Sequence, residues 1–121
     1  MLVPRASAHR RGYTKHWWRE RTAYLDDHPY CLGCAAIGLR TIATVADHVV
    51  PHQGDKSKFW AELQPLCKWH HDSVKPVLER AWSAGQLPDV ALRMNSKEAV
   101  KLTRARHRPA IGVDGLPIEG T

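Results

Sequence analysis

The sequence lacks any long apolar run. No stretch approaches the ~18 consecutive apolar residues that a membrane-spanning helix needs. The first residues, Met1 to Arg5, also lack the apolar segment of a secretory signal. We therefore expect a soluble protein of the cytoplasm.

Cysteine is scarce, and its count argues against a disulfide framework. The 121 residues include three cysteines, an odd number, with no export signal. We expect thiols that stay reduced, either as metal ligands or as buried apolar groups. Hydrophobic residues at 43% and charged residues at 25% are typical of a globular chain, and the length suits one domain.

Acidic residues are scarce in two separate parts of the chain. Residues 1–21 carry six basic residues and one acidic residue, residues 93–108 carry the same numbers, and the net charge is +6. Basic segments on either side of a nearly neutral middle suit contact with a polyanion, because each neutralised phosphate releases counterions. Simple solubility explains the same charges, and the pattern favours nucleic-acid binding only slightly over it.

Regular structure is predicted between a flexible basic arm at 1–12 and an irregular tail at 109–121. Apolar spacing predicts three helices, over 14–28, 69–84 and 95–106. Runs rich in β-branched or apolar residues predict two strands, over 41–50 and 63–67. Pro76 must kink the second helix or begin a new one, and Asn95 with Glu98 predicts the capping box of the third.

Two short pairs of metal-binding residue types share one spacing: Cys31 with Cys34, and Cys67 with His70. Together they give the four ligands of a closed tetrahedral zinc site. The short spacing lets both side chains of a pair reach one ion, with Gly33 supplying backbone freedom in the first turn. Three unrelated buried cysteines and a surface histidine, or a redox Cys-x-x-Cys, are the weaker alternatives.

A second set of residues suggests catalysis. Asp47 and His48 are adjacent, and His71 directly follows the second zinc pair. A carboxylate and an imidazole could bind a divalent ion and leave another histidine as general base. Asp47 and His48 point to opposite faces of a regular strand, so both serve one site only where the strand ends or bulges. His70 and His71 lie about 100° apart on a helix, so one can face the zinc and the other the opposite cleft.

The two sets together resemble the HNH endonucleases, specifically the small phage and prophage type whose nuclease motif is held between two zinc knuckles. The matching segments are 31–34, 46–55 and 63–71, within a resemblance that covers roughly residues 13–84. The resemblance implies an α+β fold. It has a ββα-metal (His-Me finger) motif clamped by a structural zinc site, flanked by N- and C-terminal helices within residues 13–108.

The resemblance also implies an activity, the hydrolysis of DNA phosphodiester bonds by nicking or double-strand cleavage. Asp47 and His71 would hold a catalytic divalent metal, Mg²⁺ or another such as Mn²⁺ or Ni²⁺, and His48 would be the general base. Lys75, four residues after His71 on the same helix face, is a candidate phosphate contact. The implied partners are DNA and, secondarily, phage packaging proteins, in the cytoplasm of a bacterial host cell.

The chain departs from the family pattern at two positions. His70 stands where the family usually has cysteine, an exchange that zinc tolerates. Glu62 stands where the family has the middle Asn, and an ionised carboxylate cannot both donate and accept hydrogen bonds. It can supply an oxygen ligand, so we assign Glu62 a modest catalytic contribution. The alternative is a shifted loop in which Glu62 is merely exposed.

Two other functions stay open at this stage. One is a noncatalytic, zinc-stabilised DNA-binding module that has lost activity through Glu62. The other is a structural zinc domain in a protein assembly. Asp47, His48 and His71 favour the nuclease over the structural domain, because a structural domain needs none of them.

Overall fold

A computed structural model describes residues 15–51 and 62–106, which form an α+β arrangement of four helices around a two-stranded antiparallel sheet. The predicted arm at 1–12 and tail at 109–121 lie outside these described ranges. Among the described helices, none has both the length and the apolar character needed to cross a membrane.

The described residues form four α-helices and two strands. The helices are α1 (Lys15–Asp27), α2 (Leu32–Ala35), α3 (Lys75–Ser83) and α4 (Lys97–Ala105). The strands are β1 (Val45–His48) and β2 (Leu63–Leu66). A π-helical turn (His70–Val74) leads into α3, and a 3₁₀ turn (Asp89–Leu92) precedes α4.

Helix α1 confirms the first predicted helix, and it is fixed across the sheet by side chains from one face. Trp17 is buried, while the Tyr24 hydroxyl donates to the Leu63 carbonyl at 3.0 Å. Burial raises the pKa of the Tyr24 hydroxyl, so it stays protonated and keeps donating. The helix therefore rests on the hairpin at both strands.

The hairpin is shorter than the β-branched run 41–50 predicts. Only Val45–His48 pair with β2, in a register that runs from Val45 opposite Leu66 to His48 opposite Leu63. Ile42 instead forms an isolated bridge with Tyr30. β-Branched residues favour extended backbone, but a strand extends only as far as its partner does.

Pro76 begins a new helix, one of its two predicted roles. It lies in the first turn of α3, where its missing N–H costs no helical hydrogen bond. The preceding π-helical turn closes with the Lys75 N–H donating to the His70 carbonyl. The helix ends before Gly85, whose φ of 78° favours glycine.

The cap of α4 differs from the predicted one. Ser96, not Asn95, is the N-cap, because its Oγ accepts from the Ala99 N–H at 3.1 Å and donates to the Ala91 carbonyl at 2.9 Å. The core then forms where α2, β2, α3 and α4 meet. It contains the three cysteines and seven apolar residues: Val49, Leu66, Val74, Leu78, Leu92, Met94 and Ala99.

Candidate metal centre and adjoining cavity

The four predicted zinc ligands meet at one buried point. Cys31 precedes α2 and Cys34 lies within it, while Cys67 follows β2 and His70 begins the π-helical turn. Their ligand atoms all lie within 4.8 Å of one another. The four residues could therefore hold a metal ion such as zinc, as the spacing predicts.

The distances within this cluster fit a tetrahedral ion. His70 Nδ1 lies 3.5 Å from the sulfurs of Cys31 and Cys67 and 3.6 Å from that of Cys34, and the Cys34 and Cys67 sulfurs are 3.8 Å apart. With Zn–S of ~2.3 Å and Zn–N of ~2.0 Å, a tetrahedral site separates two sulfurs by ~3.8 Å and sulfur from nitrogen by ~3.5 Å. The observed separations match both values.

Thr103 of α4 holds the imidazole of His70 in the orientation that a ligand needs. Its hydroxyl donates to the Ala99 carbonyl at 2.7 Å, so its oxygen is left to accept from His70 Nε2, 3.3 Å away. A proton on Nε2 leaves Nδ1 unprotonated and facing the thiols. Such an outer contact fixes the tautomer of a metal-binding histidine.

Gly33 contributes to the site because it has no side chain, and not because of backbone freedom. Its predicted role is therefore wrong. Its φ is not among the positive values, and it lies in the regular turn of α2. A Cβ at this position would stand 2.3 Å from Cδ2 of His70 and 2.4 Å from Nε2. Only glycine lets the helix carrying Cys34 approach the imidazole this closely.

The thiols of the cluster differ in acidity. Hydrogen bonds from Cys31 and then Cys67 hold the pKa of Cys34 below its usual value. The hydrogen bond with Cys34, and then that with Cys67 and burial, raise the pKa of Cys31. Binding of a metal must displace the protons of the thiols that remain protonated.

Three of the four predicted catalytic residues lie in a cavity of about 230 Å³ between α1 and β1. Asp47, His48 and His71 all line it. Strand β1 ends at His48, which is the condition under which neighbouring strand residues can share a site. His70 and His71 separate as their helical angle predicts, with His70 in the buried cluster and His71 at the cavity.

Asp47 and His71 lie close together on the wall of this cavity. Oδ1 of Asp47 lies 3.9 Å from Nε2 of His71. The other imidazole nitrogen, Nδ1, lies 3.0 Å from Oδ1 of Asp72, which is itself ion-paired with Lys68. The hydrogen bond from Lys68, followed by that from His71, lowers the pKa of Asp72 and keeps it ionised. Asp72 thus orients His71 with Nε2 towards Asp47.

The second oxygen of Asp47 is held by two buried side chains. Lys75 Nζ lies 2.8 Å from Oδ2, and Gln64 Nε2 donates to the same atom at 2.9 Å. Lys75 also donates to the His48 carbonyl at 2.9 Å and to Glu79 at 2.8 Å. Its position on the helix predicts a contact with phosphate, but Lys75 is only 1% exposed. It is therefore not accessible to a phosphate, and that prediction is wrong.

His48 packs between the sheet and α1. Its ring is stacked on Trp17, with centroids 5.3 Å apart and planes inclined by 17°. Both residues are buried, yet both line the cavity. The stack fixes the plane of the imidazole beside Asp47.

Glu62 lies directly before β2, and its side chain is exposed and ion-paired with Arg93. Its backbone carbonyl accepts from the Val49 N–H at 3.1 Å, which continues the hairpin pairing. Within the described part of the chain, it is not among the residues lining the cavity. Its catalytic contribution stays a prediction.

Sequence reasoning missed four residues that support the two sites: Gln64, Asp72, Lys75 (as a partner of Asp47) and Thr103. Asp72 carried a usable signal, because an acidic residue next to His71 on a helix can reach its ring. The others carried none, since their partners are 17 to 33 residues away along the chain or depend on how α3 packs.

Comparisons of this chain with protein-family models, curated proteins and solved structures find no match. The chemistry of the site follows from its own residues. One buried group could hold a structural metal, and a neighbouring cavity presents a carboxylate and two imidazoles.

Proposed function

We propose that this protein is a metal-dependent DNA endonuclease of the HNH type, with a ββα-metal motif clamped by structural zinc. The observation that carries the proposal is the 3.9 Å separation of Asp47 Oδ1 and His71 Nε2, on the wall of a cavity that His48 also lines. A buried Cys₃His group directly behind the same hairpin supports it.

Asp47 and His71 would hold the catalytic metal. Adjacent ligands of an octahedral ion lie ~3 Å apart, so Asp47 Oδ1 and His71 Nε2, 3.9 Å apart, would have to approach each other by ~1 Å around a shared ion. Asp72 orients the imidazole, while Lys75 and Gln64 occupy only the second oxygen of Asp47. The chemistry that such a metal supplies when bound is polarisation of the scissile phosphate and stabilisation of the leaving 3′ oxygen.

His48 is the general base of the proposed reaction. It takes the proton from the attacking water, for which the imidazole must be neutral. Stacking on Trp17 holds the ring beside Asp47 and limits its rotation. His48 therefore needs no further positioning when substrate arrives.

Zinc at the Cys₃His group has a structural role in this proposal. Bound there, it would join α2 to the segment after β2, and the contact of His70 with Thr103 would tie it to α4. Because His70 directly precedes His71, zinc bound there would fix the start of the helix that carries the catalytic ligand. Loss of zinc should consequently disturb both the fold and the cavity.

DNA is the proposed substrate on grounds of charge and cavity chemistry. The net charge of +6 favours a polyanion, and Arg21 lines the cavity beside the proposed metal ligands. Contacts to phosphate of this kind give affinity without sequence preference.

The decisive experiment incubates zinc-loaded protein with supercoiled plasmid across a series of Mg²⁺, Mn²⁺ and Ni²⁺ concentrations. His48→Ala should lower the nicking rate at least ~100-fold and leave zinc content and DNA affinity unchanged. The matched control is His28→Ala, which removes an exposed histidine outside the cavity. Equal nicking by wild type and His48→Ala would reject the proposed mechanism.

A noncatalytic DNA-binding zinc module is the second candidate. Two observations favour it: Asp47 already has a buried counterion in Lys75, and Glu62 at the motif position of Asn lies exposed against Arg93. In that case the wild type would bind DNA at every metal concentration and nick it at none. The same plasmid series therefore separates the two functions.

A further inference from the structure

Trp18 and Arg21 form an aromatic and cationic pair among the residues that line the cavity. Trp18 is 52% exposed although it is a large apolar side chain. The guanidinium carbon of Arg21 lies 5.6 Å from the centroid of the Trp18 ring. An Arg21 nitrogen also donates to the Thr44 carbonyl at 2.6 Å, which ties this cation to the chain just before β1.

This pair combines two features that recognise a nucleotide. An exposed tryptophan face stacks on a nucleobase, which every base permits because every base has a π face. A fixed guanidinium binds phosphate through several donors. Both groups line the same cavity as Asp47 and His71, so one nucleotide could contact all four residues.

The need for a free base face restricts which form of DNA can bind at Trp18. A paired base inside a duplex is covered on both faces by its neighbours. Only an unpaired base offers a face to Trp18.

We propose that Trp18 and Arg21 form a binding subsite for an unpaired nucleotide of single-stranded DNA, with the base stacked on Trp18 and its phosphate on Arg21. The inference rests on the proposed function, because it assigns the substrate class of the same cavity. Trp18 is a specificity-determining residue in this account. It discriminates single-stranded or locally opened DNA from intact duplex.

The test measures DNA binding without cleavage, in zinc-loaded full-length protein with no Mg²⁺, Mn²⁺ or Ni²⁺ added. Fluorescence anisotropy of a labelled 12-nucleotide single strand and of its duplex gives the two dissociation constants at fixed salt. Trp18→Ala should weaken binding of the single strand at least ~5-fold, and Trp18→Phe should retain most of it. Binding of the duplex should change much less.

Tyr30→Ala is the matched control. Tyr30 is 41% exposed and lies under Arg40 at 5.0 Å, so it forms the same kind of pair, but it does not line the cavity. The Tyr30→Ala protein should bind both DNA forms as the wild type does. Arg21→Gln supplies a second readout. Loss of one phosphate contact should reduce the slope of log affinity against log salt concentration by about one.

Three results would overturn the proposal: unchanged single-strand binding by Trp18→Ala, equal losses in Trp18→Ala and Tyr30→Ala, or an equal loss for duplex and single strand. Equal losses in the two variants, or for the two DNA forms, would indicate a general DNA-binding surface. Unchanged binding by Trp18→Ala would indicate that the exposed face of Trp18 binds another partner. Because no cleavage is measured, a failure to nick plasmid would leave this binding result standing. A failure here would likewise leave the His48 test untouched.

Discussion

The Cα of Gly33 lies against the imidazole of His70, so that a Cβ at residue 33 would stand 2.3 Å from the ring. The contact brings the turn that carries Cys34 close to the helix start that carries His70. Gly33 and His70 are both buried, so neither the turn nor the imidazole can move away into solvent. The spacing of the metal ligands thus depends on a residue that binds no metal.

Gly33→Ala should therefore displace His70 and weaken the metal centre. A helical glycine replaced by alanine ordinarily gains ~0.5 to 1 kcal/mol, whereas overpacking a buried contact costs ~1 to 3 kcal/mol. We expect a net loss in the free energy of unfolding and a lower zinc affinity, measured by urea denaturation and by competition with a chromophoric chelator. Gly38→Ala is the control, since its Cβ would meet open space and only its φ of 82° is strained. Undiminished zinc affinity in Gly33→Ala would refute the steric argument.

Thr103→Val should lower zinc affinity ~10- to 100-fold, the usual effect of removing a hydrogen-bond partner of a metal-binding histidine. Valine matches the shape of threonine but cannot accept from Nε2 of His70. Thr103→Ser keeps the hydroxyl and should retain most of the affinity. Cys67→Ser, which removes a ligand outright, gives the full loss in the same chelator competition. A Thr103→Val protein with wild-type affinity would show that the tautomer is fixed in another way.

Lys75→Met should destabilise the protein by about 3 kcal/mol, because it leaves Asp47 as a buried charge without its cation. The double variant Lys75→Met/Asp47→Asn removes both charges and should recover part of that loss. Urea denaturation of the two single variants and the double variant measures the coupling. Arg80→Met, an exposed change on the same helix, should stay within about 0.5 kcal/mol of wild type. Additive losses in the cycle would mean that the pair contributes little to stability.

Glu62→Asn should retain or raise plasmid nicking, and Glu62→Ala should weaken its dependence on the divalent metal. Asparagine restores the donor and acceptor of the motif position, whereas alanine removes a carboxylate. Since the ion pair with Arg93 is exposed, either change should alter the free energy of unfolding by less than ~1 kcal/mol. Metal titrations of nicking that superimpose for wild type and Glu62→Ala would leave the residue without a part in the chemistry.

Deleting residues 1–12 should weaken DNA affinity and make its salt dependence shallower, because the segment carries Arg5, Arg10 and Arg11. The thermal midpoint and zinc content should not change, since the prediction assigns the segment phosphate contacts and no core. Binding isotherms at several salt concentrations provide the measurement. An unchanged salt slope would reduce the segment to a solubilising tail.

The helices and the metal-ligand pairs that depend on short spacings were predictable from the order of the residues alone. Neighbours within a few residues decide where helices α1 and α3 form and why α3 ends before Gly85. They also decide that His70 and His71 point in different directions. The Cys₃His group follows for a similar reason, because soft ligands at this spacing have few other uses. Local backbone geometry decides the features within each segment. The two ligand pairs, with 32 residues between Cys34 and Cys67, meet only in the folded chain.

Which side chains support those ligands depends on how the helices pack around the sheet. Lys75 reads as an exposed cation on a helix, yet it is buried against Asp47, and Gly33 reads as a flexible turn residue, yet it makes room for His70. Thr103 gave no signal, because its partner is 33 residues away in the sequence. These contacts arise when α2, α3 and α4 close around the hairpin. Their energies depend on distance and burial in three dimensions, which sequence spacing does not encode.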